Sequence, residues 1–269
     1  MAIKLQERWQ KDPTYIRLKE RFMEKYGRER DRDLTILMDE SVLGADEYYD
    51  LRGFNFNFSE MEWNERQKRE LPVAIQPKYS NMDLSNLDLS YSVSDDAGIW
   101  KSKMSRCRFD CSKLWGFTFS QLEMTECSFD SCVFGGVSLS GKFGNCVFDR
   151  SQARGGYFAI GHGDYINCSY LGVHFKEMAC DQADFKNCKF SGMILKSEIG
   201  FYRNSARGLF ASILSGHFKS VFGRDYRERS VSFVNCNFSD LEVESTKVHQ
   251  SVSFDNCISF EKLTLNRQL

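Results

Sequence analysis

Ten cysteines and four histidines are the side chains of this 269-residue chain with the widest reactive repertoire, namely metal ligation, disulfide formation and nucleophilic attack. Their spacing argues against all three. Cys107, Cys127, Cys146, Cys168 and Cys188, followed after a gap by Cys236 and Cys257, recur about once every twenty residues, the interval of a structural repeat. A zinc site needs ligand pairs only ~2–4 residues apart that converge on one point. Thiols that recur once per repeat form a file and do not converge, so they read as small apolar fillers, an ordinary use of free cysteine. Neighbouring repeats lie close enough that an oxidising environment would bring a pair within bridging range. The histidines, His162, His174, His217 and His249, are scattered. The one close acidic partner is Asp164, in Gly161-His162-Gly163-Asp164. Neither a glycine-rich phosphate loop, a zinc signature nor a nucleophile elbow is present. The expectation is a protein without catalytic activity, cofactor, metal or small-molecule substrate.

What positions the cysteines is a finer period. A large apolar residue recurs every fifth position through Leu84, Leu89, Ile99, Met104, Phe109, Leu114, Phe119, Met124, Phe129, Phe134 and Leu139, with Ser94 as the one miss. The register shortens by one to Phe143 and runs through Phe148, Ala153 and Phe158. It then lengthens by two to Tyr165, Tyr170, Phe175, Cys180, Phe185, Phe190 and Leu195, and returns as Phe233, Phe238, Val243 and Val248. Two places before most of these stands a smaller residue, such as Cys107, Ser112, Cys127, Cys132, Val137, Cys146 or Ser151. In an extended backbone residues i and i−2 share a face, so each pair enters the interior together while its neighbours face water. Four such steps make one coil of a solenoid. Phe109, Phe129, Phe148, Tyr170, Phe190 and Phe238 share a coil position, which predicts an aromatic column beside the thiol file. Asn86, Asn145, Asn167, Asn187, Asn235 and Asn256 precede the small inward residue and predict a corner ladder, because asparagine tolerates left-handed turns. Gly135-Gly136 and Gly155-Gly156 are expected at further corners.

The triplets Met82-Asp83-Leu84, Leu87-Asp88-Leu89, Ala183-Asp184-Phe185 and Cys236-Asn237-Phe238 give the pattern a family likeness. It resembles the pentapeptide-repeat family, whose loose consensus is a small residue, Asp or Asn, then Leu or Phe, then two variable positions. The chain is a degenerate example, with Lys103, Arg108, Lys113, Val133 or Ser138 where the consensus has Asp or Asn. The resemblance implies a mainly β fold, a right-handed quadrilateral β-helix, over residues 81–269.

Residues 1–80 lack the beat over most of their length and read as a helical cap on the solenoid's open edge, with a first partial coil near 51–56. Asp12-Pro13 starts a helix whose face carries Tyr15, Ile16, Phe22, Met23 and Tyr26, and Gly27 stops it. A second short helix is expected from Leu34 to Leu43, and a third capped by Ser59 with Glu62. The repeat is interrupted at about 199–230. There Ala206, Leu209, Phe210, Ile213, Leu214, Phe218, Val221 and Phe222 follow helical spacing, predicting an inserted amphipathic helix. Its apolar face would either dock on the rod's own flank, shielding residues such as Trp115, or meet a partner, a second subunit or an anionic membrane surface.

Charge narrows the function. The chain has 36 Lys and Arg against 37 Asp and Glu, a net charge of −1, so it lacks the broad basic footprint of direct nucleic-acid binding. Within the insertion Arg203, Arg207, Lys219, Arg224, Arg227 and Arg229 outweigh Asp225 and Glu228, which makes them the candidate partner-binding residues. Asp83, Asp88, Asp95, Asp96, Glu123, Glu126 and Asp130 cluster early and would supply the negative face that a DNA mimic needs. The resemblance brings three roles. The leading one is a non-catalytic protein-binding solenoid acting in bacterial immunity or target protection by direct binding to a macromolecule. The others are a DNA-mimicking modulator of DNA gyrase or topoisomerase, and a bacterial effector delivered to host cells. Met1-Ala2-Ile3-Lys4-Leu5-Gln6-Glu7 runs straight into charged sequence and is no signal peptide, so a reducing bacterial cytoplasm is the expected compartment. The resemblance also suggests a homodimer through the C-terminal stretch, Phe260 to Leu265.

Overall fold

The computed structural model describes residues 2–58, 61–64, 69–72, 76–154, 158–175, 178–202, 231–248 and 252–259. From Lys78 onward the chain is a four-sided parallel β-solenoid. One side, face A, stacks Lys78, Gly98, Thr118, Ser138, Ala159, Ala179 and Gly200 in register. Face B stacks Asp83, Lys103, Glu123, Lys142, Asp164, Asp184 and Ser232. Face C stacks Asp88, Arg108, Ser128, Val147, Ser169, Lys189, Asn237 and Ile258 through single bridges. Face D stacks Val93, Lys113, Val133, Gln152, His174, Ile194 and Glu242.

The two register slips read from the sequence are β-bulges at the corner between faces A and B. One lies between Phe119 and Leu122, the other between Leu139 and Gly141. At the second, a Cβ on Gly163 would meet the Gly141 carbonyl oxygen at 1.8 Å, so only glycine fits. Corners are made by one left-handed residue per five, including Asn86, Tyr91, Asp96, Lys101, Arg106 and Cys111. Each costs a non-glycine residue ~1–2 kcal/mol, an outlay that the stacked interior must offset. The asparagines at the corner between faces B and C take this conformation, with φ from 50° at Asn256 to 57° at Asn86.

The inward pairs fill the rod. On face C, Phe109, Phe129, Phe148, Tyr170, Phe190 and Phe238 stack with ring centroids 4.9 Å apart and planes within 5° of parallel. A second column on face B runs Phe143, Tyr165, Phe185, Phe233 and Phe254. Cys107, Cys127, Cys146, Cys168, Cys188 and Cys236 are buried beside these rings, and all ten cysteines are free thiols. The 28-residue break does not disturb the stacking, because Phe190 and Phe238 lie on adjacent rungs 4.9 Å apart. The strand Ile194–Tyr202 runs past the expected start of the insertion: Ile199–Tyr202 continue face A against Met178–Asp181. Residues 203–230, and with them the predicted amphipathic helix, lie outside the described residues.

The N-terminal region holds more of the solenoid than its charge-rich sequence suggests. Helices α1 (Ala2–Lys11) and α2 (Pro13–Tyr26) pack on a first, irregular coil. Asp12 caps α2 as expected, its side chain accepting from the Thr14 amide. The irregular coil takes in residues near 51–56 and reaches back to Asp31. Asp31 pairs with Lys78, Tyr49 with Leu87 and Asn55 with Val93, so three of its sides are in register with the rod. The remaining side is two short 3₁₀ turns, Leu34–Leu37 and Glu40–Val42, where one helix was expected. Asp33 and Asp39 each cap a new turn and thereby split the segment. Met61–Asn64, expected to be helical, pairs antiparallel with Arg69–Pro72 as a hairpin. Strand pairing satisfies backbone groups that a single short helical turn leaves open.

Candidate interaction surface

The densest polar constellation joins the cap to the rod. Arg8 grips Asp50 with two parallel bonds of 2.9 and 2.6 Å, and Arg52 approaches the same carboxylate at 2.8 and 2.7 Å. The Arg8 guanidinium lies 4.0 Å above the Tyr15 ring, and Trp9 Nε1 donates to the Arg52 carbonyl at 3.1 Å. Burial alone would raise the Asp50 carboxyl. The hydrogen bonds and charges of Arg52 and Arg8 outweigh it and hold the group well below the usual carboxylate range. Burial pushes the Tyr15 hydroxyl up to about 12. Two rungs beyond Asp50, Arg108 lies 3.7 Å over the Tyr48 ring and contacts Asp46 at 3.1 Å. These groups are saturated by one another, so the constellation is an internal joint.

The rod's four flanks differ chemically. Face A presents Thr118, Ser120, Ser138, Ser140, Ala159 and Gly161 on three consecutive rungs, small residues without charge. Face B presents Asp83, Lys103, Glu123, Lys142, Asp164 and Asp184, alternating in sign along its first four rungs, with Lys103 and Glu123 3.8 Å apart. At the corner between B and C the asparagines form an amide ladder. Asn167 donates to Asn145 at 3.0 Å, Asn187 to Asn167 at 3.1 Å, Asn235 to Asn187 at 3.1 Å and Asn256 to Asn235 at 2.8 Å. Face D carries Trp115, 40% exposed, whose ring lies on Gly135. A Cβ there would meet the indole at 2.1 Å, so this glycine serves the tryptophan; its neighbour Gly136 makes the corner, with φ 69°.

The acidic residues that cluster in sequence do not share a surface. Asp83 and Glu123 lie on face B, Asp88 and Asp130 on face C, Asp95 on face D, and Asp96 and Glu126 at corners. An acidic row does exist on face C, but it consists of Asp110, Asp130 and Asp149. Asp110 accepts from the Ser128 hydroxyl and the Asp130 amide, and Asp149 from the Ser169 hydroxyl and the Leu171 amide. Burial raises the Asp110 carboxyl against the pull of those hydrogen bonds. Arg150 pairs with Asp130, and beyond Asp149 the file continues as Leu171. Asp110 and Asp149 were legible had acids been sought immediately after the phenylalanines of one coil position, where the twenty-residue period places them.

Of the proposed contact residues, Arg203, Arg207, Lys219, Arg224, Arg227 and Arg229 all lie outside the described residues, as do His217, His249 and the stretch from Phe260. His162 stands at the bulged corner between faces A and B and His174 on face D, so they are not brought together. Among the described residues no group of three or more Cys, His, Asp or Glu side chains is arranged to hold a metal ion, and no helix is long and apolar enough to cross a membrane.

A five-residue step, an inward pair at each step and closure into four faces decide the architecture. The fold is that of a pentapeptide-repeat β-solenoid. No protein-family model matches the sequence, and no curated protein matches it. Among solved structures the chain is similar to HetL, a pentapeptide repeat protein involved in heterocyst differentiation regulation from the cyanobacterium Nostoc sp. strain PCC 7120. The identity is 10% over 80% of this chain and 88% of that one, with a TM-score of 0.36. It is also similar to full-length QnrB1, a plasmid-mediated fluoroquinolone resistance protein, at 13% identity over 80% of this chain and 94% of that one, with a TM-score of 0.30. The repeat geometry, and not these overlaps, identifies the fold.

Proposed function

We infer that this pentapeptide-repeat solenoid is a non-catalytic scaffold that binds one protein partner, in the manner of a bacterial immunity or target-protection factor. The observation that carries this reading is the corner between Tyr202 and Val231. The rod continues in register across it, with Asp184 facing Ser232, while 28 residues of net basic, amphipathic sequence leave and return at a single point. The described rungs stack without needing this segment, and an irregularity on a regular scaffold is where binding function concentrates. Arg203, Arg207, Lys219, Arg224, Arg227 and Arg229 are then the partner contacts. The test is excision of 203–230 with a short turn joining Tyr202 to Val231. The rod should keep its β-sheet circular dichroism and lose its partner in a pull-down from the native cell; an unchanged set of partners overturns the reading.

One observation favours a second reading, a DNA mimic acting on DNA gyrase or topoisomerase: Asp110, Asp130 and Asp149 stand on successive rungs of one face. Three rungs span only ~10 Å, and Arg108 and Arg150 dilute the row. A mimic needs a long continuous negative face, so this reading ranks second. A gyrase supercoiling assay at micromolar protein separates the two.

A further inference from the structure

The thiol file has a geometry that its role as core filler does not require. Every one of its seven sulfurs makes the same two contacts. Cys107, Cys127, Cys146, Cys168, Cys188, Cys236 and Cys257 each approach the carbonyl two residues earlier at 3.4–3.6 Å. Each also points at a carbonyl of the preceding rung: Leu84, Met104, Met124, Phe143, Tyr165, Phe185 and Phe233 in turn. One rotamer is thus copied along the rod, and the sulfurs repeat with the rung. The rings two residues further on measure that repeat at 4.9 Å.

This spacing separates two kinds of sulfur chemistry. A disulfide wants β-carbons ~3.8 Å apart, about 1 Å closer than stacked strands at ~4.8 Å allow, and none is present. A cation between two sulfurs, with metal–sulfur bonds similar to the ~2.3 Å of zinc–thiolate sites, needs ~4.6 Å, within a few tenths of an ångström of the 4.9 Å ring repeat. Thiolates select soft cations such as Cu(I). A chelate of three or four ligands is excluded because the sulfurs do not converge; a chain of two-coordinate positions is not.

We propose that the buried thiol file is a linear binding site for soft monovalent cations of the cuprous and silver class, each held between the sulfurs of two adjacent rungs. Seven thiols enclose six positions. Each cation entering releases one proton to solvent, since one S–H bond breaks as the thiolate forms bonds to the cations on either side. Six cations therefore replace six protons, one terminal sulfur stays a thiol, and the interior remains neutral, which a buried site requires. No electron is transferred. The file is closed at one end by buried Leu87, the residue in register below Cys107, whereas Cys257 at the other is half-buried.

The probe is Ag(I), which needs no reductant, titrated into the reduced full-length chain carrying Cys111→Ser to remove the exposed thiol. The expected result is six silver ions retained against a competing small thiol, one proton released per ion, a near-ultraviolet thiolate band, a raised melting temperature and unchanged β-sheet circular dichroism. Cys146→Val, a residue that occupies the equivalent small position at Val137 and Val173, should lose two of the six. Cys188→Val should do the same and substitutes for it if the first variant does not fold. Cys132→Val, which removes a buried thiol outside the file, should lose none. Equal losses from Cys132→Val and Cys146→Val, uptake of one ion or none, or uptake only with loss of the β signal would each overturn the proposal.

Discussion

The cap and the rod hold together by opposite means. In the rod each contact is one of a series: the stacked phenylalanines, the amide ladder and the sulfur-to-carbonyl contacts recur at every rung or nearly so. In the cap the contacts are unique. Trp9 packs edge-on against Tyr15 at 5.2 Å and Phe54 at 5.3 Å, and one carboxylate, Asp50, pairs with two arginines from different segments. A series tolerates single losses because each rung leans on its neighbours, and stability adds up approximately rung by rung. A unique joint has no substitute, so its failure is local and complete.

The largest effects test whether the two regions unfold separately. Phe129 is fully buried between Phe109 and Phe148, and Phe129→Ala should cost ~3–5 kcal/mol, read as a lower urea midpoint of the main transition. Trp9→Ala carries a similar ~3–5 kcal/mol, but it should appear as faster hydrogen exchange in α1 and α2 while the rod's strands keep their protection. Equal loss of protection in both regions would mean one cooperative unit and would erase the contrast.

A smaller effect sharpens the electrostatic side. Asp50→Asn leaves Arg8, with 14% of its side chain exposed, and Arg52 against a neutral amide. Partial exposure of the carboxylate scales the cost down to ~2 kcal/mol. The sign with pH follows from the lowered native pKa: Asp50 contributes its full stability above the ordinary carboxylate value, near ~4, and loses it as pH falls further. The protection factors of the α1 amides, taken relative to intrinsic exchange at each pH, should therefore fall on acidification below that point in the native protein and remain flat in Asp50→Asn. The smallest change tests the rod's tolerance. Tyr170 sits in the aromatic column with a buried hydroxyl that has no protein hydrogen-bond partner. Tyr170→Phe should keep the stack and raise stability by ~1 kcal/mol, seen as a higher midpoint; a lower one would show that the column is not a purely apolar series.

The rod was legible because its rule is local. Alternation of inward and outward side chains is a property of extended backbone, so Leu84 to Phe238, both slips, the inward cysteines and the left-handed asparagines follow from spacing alone. Helix α1 and the buried Trp9 carried no comparable signal, since a single tryptophan in a charged decapeptide shows its partner only once Phe54 and Phe58 are brought against it. The early acids misled for a related reason. Residues adjacent in sequence turn a corner every five positions, so Asp88 and Asp95 end on different faces, whereas Asp110 and Asp149 meet on one. The amino-acid order by itself determined the coil, because a period needs only neighbours. Only tertiary structure decided the first coil from Asp31, the joint at Asp50 and the chemistry of each flank, because these arise where segments tens of residues apart come to lie one rung away from each other.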